Sequence, residues 1–545
     1  MPARGQAVKL LLSSPLAPYP HFREGRDSLH VNCANPTFGQ GIFAVPTCMH
    51  FYGLHLIAQN VHADSTVLEH PTERRFVREL RKKPDVVGIT FVLPFFSRVI
   101  EMCRLARRHC PTARIVLGGH GVQCFGHATG REEELRGLVD GVCHGDGVRY
   151  FRELLGEDPA APVTQDLPPG VVYPFGNRLL AQYSATLLCS LGCRNACDFC
   201  SASAFYGHQR IPLASPQELF EAVKRDVARS RIDSARILDD NFLVDRDYVL
   251  EFGRLLRSDP EVRARGFAYS TFADLRTVAS YTPEELVRCG LSGVLIGFES
   301  RLVDRLAPSI RRKVEGLDAH AIVRGLTDHG ICVEGSLILG WDFHDPTNIE
   351  QDIDDYVSLG TTFDQIVTLV PVPETRLWRQ LQEEGRLLEP ISWDDAGFYS
   401  RWHRFKNFTH DELWHWEEEA LRRTYETWGP SYLRLFEVHL KGHRRLRGHA
   451  DPYVRARAVA NGRACRDMLP LLPAIRLFGP NGHVRAEVDR LQLEYRAELG
   501  GRPWPSRLRA VAVTAIAAAA SLRTVVRQAD TRQPWPEVYH YGGAS

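Results

Sequence analysis

At 545 residues the chain is too long for one ordinary domain and predicts two to four. Its 44% hydrophobic and 24% charged residues are those of a globular protein, and a net charge of +1 gives no bulk electrostatic reason to bind nucleic acid. The 13 cysteines form no compact disulfide framework, no run of about 18 apolar residues occurs, and the opening MPARGQAVKLLLSSPL has too short an apolar stretch for a secretory signal. A reducing, cytoplasmic location without a transmembrane segment is the expectation.

Residues 1–165 alternate strand and helix patterns. Val8–Leu12 reads as a strand, Phe51–His62 as a helix, Thr66–Leu68 as a short strand, and Thr72–Lys82 as a helix with basic residues in its last turn. Asp85–Phe91 (DVVGITF) reads as a buried strand, followed by a helix over Phe96–His109. Arg114–Leu117 is a strand running into Gly118-Gly119-His120. Val139–Cys143 is a last strand before Gly145-Asp146-Gly147, and a helix over Val148–Leu155 follows. This alternation predicts an α/β domain with a parallel sheet covered on both faces, Rossmann-like in the flavodoxin manner. Such sheets bind ligands beyond the carboxyl ends of their strands. Thr90, Gly118, Gly119, Gly145 and Gly147 fall at those ends. Glycines there let backbone approach a large flat ligand, or simply make turns.

A linker over 166–180, with a Pro/Gly-rich stretch at Leu167–Pro174, leads into residues 181–390. Six strand-plus-helix units follow, with strands at Tyr183–Leu188, Ser234–Leu238, Phe267–Thr271, Gly293–Phe298, Cys332–Leu339 and Phe363–Leu369. Their helices begin near Ser215, Asp245, Thr282, Gly316 and Pro346, and a last one near Glu374. Thr282-Pro283-Glu284-Glu285 combines an N-cap, a proline at the first helical position and early acids. Six parallel units predict an open, partial (β/α)6 barrel of TIM type, with its chemistry at the C-terminal strand ends. The loop after the first strand carries Cys193-Arg194-Asn195-Ala196-Cys197-Asp198-Phe199-Cys200, a C-x3-C-x2-C triplet. Three thiolates this close can hold three irons of a cubane cluster and leave the fourth open. Zinc is the competing reading, but it normally needs four ligands and the nearest fourth is Cys189. Other strand ends carry Asp239-Asp240-Asn241 and Glu299-Ser300, whose ordinary readings are solvated loops, caps or ion-pair partners.

Residues 391–545 are mostly helical by pattern and rich in arginine and aromatics. Phe398, Trp402, Phe405, Trp414, Trp416, Tyr425 and Trp428 either line a pocket over the barrel mouth or form a helical core. No second cysteine cluster occurs here, so no auxiliary iron–sulfur centre is expected. Ala510–Leu522, flanked by Arg507, Arg509 and Arg523, reads as a packed helix, with a membrane-surface helix as the alternative.

The triplet with an aromatic before its last cysteine resembles the radical S-adenosylmethionine (AdoMet) superfamily. So do, in order, Ile237-Leu238-Asp239-Asp240-Asn241-Phe242, Ile296-Gly297-Phe298-Glu299-Ser300, Leu337-Ile338-Leu339-Gly340 and Val370-Pro371-Val372-Pro373-Glu374-Thr375. The preceding DVVGIT, IVLGGHGV and VDGVCHGDGV segments resemble the cobalamin-binding domain of that superfamily's cobalamin-dependent branch. The likeness runs over residues 8 to 390 and departs at His144-Gly145-Asp146-Gly147, where members often carry G-E-G-E. It implies a 4Fe-4S cluster on Cys193, Cys197 and Cys200 as the catalytic centre. It further implies AdoMet against Asp239, Asp240, Asn241, Glu299 and Ser300, and cobalamin against Thr90, Gly118, Gly119, Gly145 and Gly147. No D-x-H-x-x-G motif is present to give cobalt a histidine ligand.

The activity so implied is methylation of an unactivated carbon of a small molecule, a specialised metabolite, with electrons from an external donor of flavodoxin or ferredoxin type. A lipid or isoprenoid substrate is a further class, given the apolar Ala510–Leu522. Radical cyclisation or rearrangement, polar methyl transfer from methylcobalamin, and a non-catalytic cobalamin- or cluster-carrying protein remain the alternatives.

Overall fold

The computed structural model describes residues 7–19, 21–22, 26–27, 37, 39–44, 47–48, 50–127, 131–172, 182–229, 232–501, 504–527 and 536–542. Residues 173–180 of the expected linker lie outside them.

The N-terminal sheet is built from β1 (Val8–Ser13), β2 (Ala63–Glu69), β3 (Val86–Thr90), β4 (Arg114–Gly118) and β5 (Gly141–Val142), with spatial order β2-β1-β3-β4-β5. All four pairings are parallel. This is the flavodoxin-type order, in which the chain switches direction between β1 and β3 and leaves a crevice at their carboxyl ends. The strands read as continuous apolar runs because helices cover both faces. Among these are α1 (Tyr52–Gln59) and α2 (Glu73–Leu80), the latter capped by Thr72, which accepts from the Arg75 N–H at 3.3 Å. Asp146 caps the helix Gly147–Leu155 in the same way, accepting from the Val148 N–H at 2.9 Å. A helix at Arg131–Leu138 has no counterpart in the sequence reading, since it buries only Glu132 and Leu135 and so carries no legible apolar stripe.

The barrel strands are β6 (Gln182–Leu187), β7 (Ser234–Ile237), β8 (Ala268–Asp274), β9 (Leu291–Glu299), β10 (Cys332–Leu339) and β11 (Phe363–Thr368). They pair in parallel and in chain order. β11 ends the sheet, so the barrel is open. Beyond β6 the sheet continues, antiparallel, through Gly170–Val172 and then Thr47–Cys48. The predicted six strands are therefore part of an eight-stranded sheet. Segments of two and three residues have no periodicity from which to be read.

The C-terminal region is built of helices between His410 and Leu499 and again over Trp504–Arg527, with a core that includes Leu433, Phe436, Ile475, Val488 and Tyr495. A buried ion pair, Arg434 to Asp364 at 2.6 Å, pins the helix Ser431–Leu446 to β11. The region is mostly helical, as expected, and adds one strand. β12 (Glu537–Tyr541) crosses back and joins the edge of the N-terminal sheet, antiparallel to β2. The helix Trp504–Arg527 buries Ala510, Val513 and Ala517 and turns Leu508 and Val511 outward. Among the described residues no helix is long and apolar enough to cross a membrane.

Candidate active site at the barrel mouth and the sheet crevice

The chain leaves β6 at Leu187 and enters the cysteine loop. Cys197 is buried, while Cys193 and Cys200 are partly open. The Asn195 N–H donates to Cys193 Sγ and the Ser203 N–H to Cys200 Sγ, each at 3.5 Å, and the Ser203 hydroxyl donates to the Cys193 carbonyl at 2.8 Å. The loop is thus folded around its sulfurs. Burial pushes all three thiols up, Cys200 to about 12, so a bound metal is what would hold them as thiolates. Structural zinc normally takes four protein ligands. Cys189, the candidate fourth zinc ligand, is buried with its thiol on Asp239 Oδ2 at 2.8 Å. The donor set suits a cluster with one open corner better than a zinc ion.

Asp239 accepts from the Cys189 N–H at 2.8 Å and from the Ser190 hydroxyl, so it ties the end of β7 to the start of the cysteine loop. Burial raises its pKa. Asp240 is open to solvent yet surrounded by protein, the signature of a recess. Desolvation there, with the charge of Asp239 beside it, pushes its carboxyl up to about 6. Asn241 donates to Asp274 Oδ2 at 2.8 Å, and Asn195 of the cysteine loop donates to the same oxygen at 2.9 Å. Asn241 Oδ1 is buried without a partner, an acceptor waiting for a donor.

Glu299 ends β9 in a left-handed conformation, φ +62°, unusual for a side-chain-bearing residue and typical of functional sites. Gly297 makes room for it, since a Cβ there would lie 2.4 Å from Glu299 Oε1. The same oxygen accepts from Lys313 Nζ at 2.7 Å, both side chains being 8% exposed. Burial alone would lower the Lys313 pKa, but the neighbouring Glu299 carboxylate and Cys197 sulfur hold it above the ordinary lysine value. Ser300 is buried, its hydroxyl donating to Asp352 Oδ2 at 2.7 Å, an oxygen that also meets His344 Nε2 at 2.9 Å. The structure thus gathers Asp239, Asp240 and Asn241 with the cysteine loop, brings Glu299 there through Lys313, and spends the Ser300 hydroxyl on an internal network.

Asp274 and Lys313 were not singled out from sequence. Asp274 sits in an unremarkable F-A-D-L-R stretch, and Lys313 in a basic run, I-R-R-K-V. Only tertiary pairing distinguishes them. The aromatics of residues 391–545 divide between the two readings. Trp402 packs in the core with Trp378 and Trp393, and Trp414 with Tyr399. Phe398 and Phe405 instead join Phe199 and Trp341 around Ile338, Val367 and Leu369 at the barrel mouth.

Across from the cysteine loop lies a cavity of about 190 Å³, far larger than the ~10–15 Å³ that one water needs. Thr90, Gly118, Gly119, Gly145 and Gly147 all line it, at the ends of β3, β4 and β5. Gly119 has φ +82°, and a Cβ there would lie 2.7 Å from the Phe91 carbonyl oxygen; at Gly147 it would lie 2.8 Å from Ile57 Cδ1. The crevice is shaped by missing side chains. Its far wall is Leu188, Leu191, Phe205 and Tyr206, residues on either side of the cysteine loop. His120 also lines it; burial pulls its pKa down to about 4, so it stands there as a neutral imidazole. His144 reaches the end of the barrel, with Nε2 3.1 Å from Glu374 Oε1.

No family model matches the chain. It is 28% identical over 236 residues to hopanoid C-2 methylase of Rhodopseudomonas palustris, covering 41% of this chain and 44% of that protein. It is 26% identical over 238 residues to hopanoid C-3 methylase of Methylococcus capsulatus, covering 37% and 45%. It is 24% identical over 247 residues to bacteriochlorophyllide d C-12(1)-methyltransferase of Chlorobaculum tepidum, covering 44% and 51%. Among solved structures, the radical S-adenosylmethionine methyltransferase TsrM of Kitasatospora setae, with cobalamin and a 4Fe-4S cluster bound, superposes with a TM-score of 0.54 at 15% identity, over 84% of this chain and 99% of that one. The chain is thus similar in part of its sequence to these methylases, and it shares its fold with the cobalamin- and cluster-bound TsrM. A second TsrM structure, with tryptophan and a SAM analogue, gives 0.51 over 76% and 88%. The sequence likeness is partial: the chain spans about half the length of the curated relatives it matches, while the shared fold extends over most of it.

Proposed function

We propose that the chain is a cobalamin-dependent radical AdoMet C-methyltransferase acting on a small molecule. One observation carries this reading: a single cavity has the glycine-lined strand ends of the N-terminal sheet on one side and the residues bracketing the cysteine loop on the other. The matched relatives are named as methylases of hopanoids and of a bacteriochlorophyllide, and the TsrM structures hold cobalamin, a 4Fe-4S cluster, tryptophan and a SAM analogue.

Cys193, Cys197 and Cys200 would hold the cluster, and Thr90, Gly118, Gly119, Gly145 and Gly147 would cradle cobalamin. When bound, the cluster supplies one electron for AdoMet cleavage and cobalamin supplies a transferable methyl group. The chain's own residues do the placing. Asp239 and Asp274 hold the cysteine loop against β7 and β8. Asp240, the Asn241 Oδ1 acceptor and Glu299 are the polar groups available to the amino and hydroxyl groups of AdoMet, while Ser300 shapes the turn that presents Glu299. Phe205 and Tyr206 fill the space beside the loop and exclude water, which favours radical chemistry over side reactions. Phe199, Trp341, Phe398 and Phe405 give the mouth an apolar, aromatic wall suited to an apolar or aromatic substrate. An external donor of flavodoxin or ferredoxin type and a cytoplasmic location complete the proposal.

The test is an anaerobic assay of the reconstituted protein with AdoMet carrying a labelled methyl group. The proposal expects both 5′-deoxyadenosine and S-adenosylhomocysteine, and transfer of label to an added acceptor. Deoxyadenosine without S-adenosylhomocysteine, at full cobalamin loading, would replace it with radical cyclisation or rearrangement.

A further inference from the structure

We propose that His50, His55 and Glu69 form a second metal site, for one divalent transition-metal ion of zinc type, independent of the cysteine loop. Each offers a ligand atom, and these atoms all lie within 4.8 Å of one another. All three side chains are buried, His55 and Glu69 completely. His50 Nδ1 contacts Glu69 Oε2, and His55 Nε2 lies 3.3 Å from Glu69 Oε1. That Nε2 is a buried ring nitrogen without a hydrogen-bond partner, facing the other two ligands. Two imidazoles and one carboxylate are an established donor set for zinc, and such a set leaves a further position for water.

The surroundings are those of a ligand set held in place from outside. Metal-binding histidines engage their other ring nitrogen with a fixed partner, and metal-binding carboxylates accept a further hydrogen bond. His55 Nδ1 lies 2.7 Å from the Tyr541 hydroxyl, and Glu69 Oε1 accepts from the Phe51 N–H at 2.7 Å. A buried carboxylate flanked by two imidazoles has only shared protons to balance its charge, and a divalent cation satisfies all three groups at once. The ligands come from the segment before α1, from α1 itself and from the end of β2, while Tyr541 comes from β12, which pairs with β2. An ion here would fasten the returning C-terminal strand. It would also fix α1, whose Gly53, Leu54 and Ile57 line the cavity. The inference rests on this geometry alone and stands or falls separately from the proposed activity.

The test uses the full chain with Cys193→Ala, Cys197→Ala and Cys200→Ala, so that the loop thiols cannot take zinc. Stripped with a chelator, this parent is titrated with Zn²⁺ alone against a chromophoric competitor. One tight site per chain is expected, with a rise in Tm on saturation. Glu69→Gln should weaken it by at least about 100-fold, and Tyr541→Phe, which removes only the outer hydroxyl, by about 10-fold. Zinc binding by the parent no tighter than by Glu69→Gln overturns the proposal and leaves the triad a hydrogen-bonded clamp. Should Glu69→Gln fail to fold, Co²⁺ added to the parent decides. Ligand-field bands without thiolate charge transfer, weakened in Tyr541→Phe, support the site; thiolate charge transfer, or no spectrum, overturns it.

Discussion

The two walls of the candidate site are made by opposite means. The barrel wall, which lies behind the Leu188, Leu191, Phe205 and Tyr206 side of the cavity, is built from side chains: three thiols, Asp239 locked under the loop, two asparagines sharing Asp274, and Glu299 paired to Lys313. The sheet wall is built from their absence: Gly118, Gly119, Gly145 and Gly147 against aliphatic neighbours. The first arrangement fixes small charged groups at defined points. The second makes a smooth, broad surface for something large that binds through shape. The difference sorts the expected consequences of mutation, since side-chain loss empties the barrel wall and side-chain gain fills the sheet wall.

The largest effect falls on the cysteine loop. Replacing any one of Cys193, Cys197 or Cys200 by alanine should abolish the cluster's visible absorption and deoxyadenosine production together. An active alanine variant would break the barrel half of the comparison. Next comes Lys313→Met, which strands Glu299 as a buried unpaired carboxylate. Removing one member of a buried pair costs about 3–5 kcal/mol, read as a fall in the midpoint of the barrel's urea unfolding transition. Gly119→Val tests the sheet wall. At φ +82°, ψ 172° the backbone is a region essentially reserved for glycine, at about 1–3 kcal/mol for other residues, and the new Cβ meets the Phe91 carbonyl. Cobalamin occupancy should fall sharply while the cluster spectrum stays, and loss of both would mean the walls are not separable.

The smallest effect is a pH dependence between the walls. The hydrogen bond to Glu374, then its charge, raise the His144 pKa above 6.5 in the folded protein. Protonated His144 therefore stabilises the contact fully below pH 6.5, and this is lost as pH rises through the raised value. The pair is partly exposed, so its worth is at most about 1 kcal/mol. The Tm difference between wild type and Glu374→Gln should shrink as pH rises from 6 to 8, and a constant difference would contradict the assignment.

The same contrast explains what could be read from the chain. The parallel sheet order and the barrel follow from alternating apolar runs, and the cysteine loop from its spacing. Thr90 and the four glycines line one cavity as a group because loops after parallel strands share one edge of the sheet. Lys313, Asp274 and the His50–His55–Glu69 cluster escaped because each acquires meaning only from a partner distant in sequence. The return of Glu537–Tyr541 to β2 escaped for the same reason: edge pairing leaves no mark on a five-residue strand except its alternation. Ser300 shows the converse. Its place in a recognisable I-G-F-E-S element suggested a ligand contact, while the fold gives its hydroxyl to Asp352.

The most direct measurement of the central claim is co-occupancy of the two walls in one sample. The protein, prepared anaerobically with iron, sulfide and cobalamin, would be assayed for iron, cobalt and AdoMet cleavage. The account predicts about four irons and one cobalamin per chain, with cleavage lost when the cysteines are changed and cobalamin lost when Gly119 is filled. A full cluster and active AdoMet cleavage with no cobalamin bound at saturating supply would contradict it, leaving the glycine-lined crevice as scaffold alone.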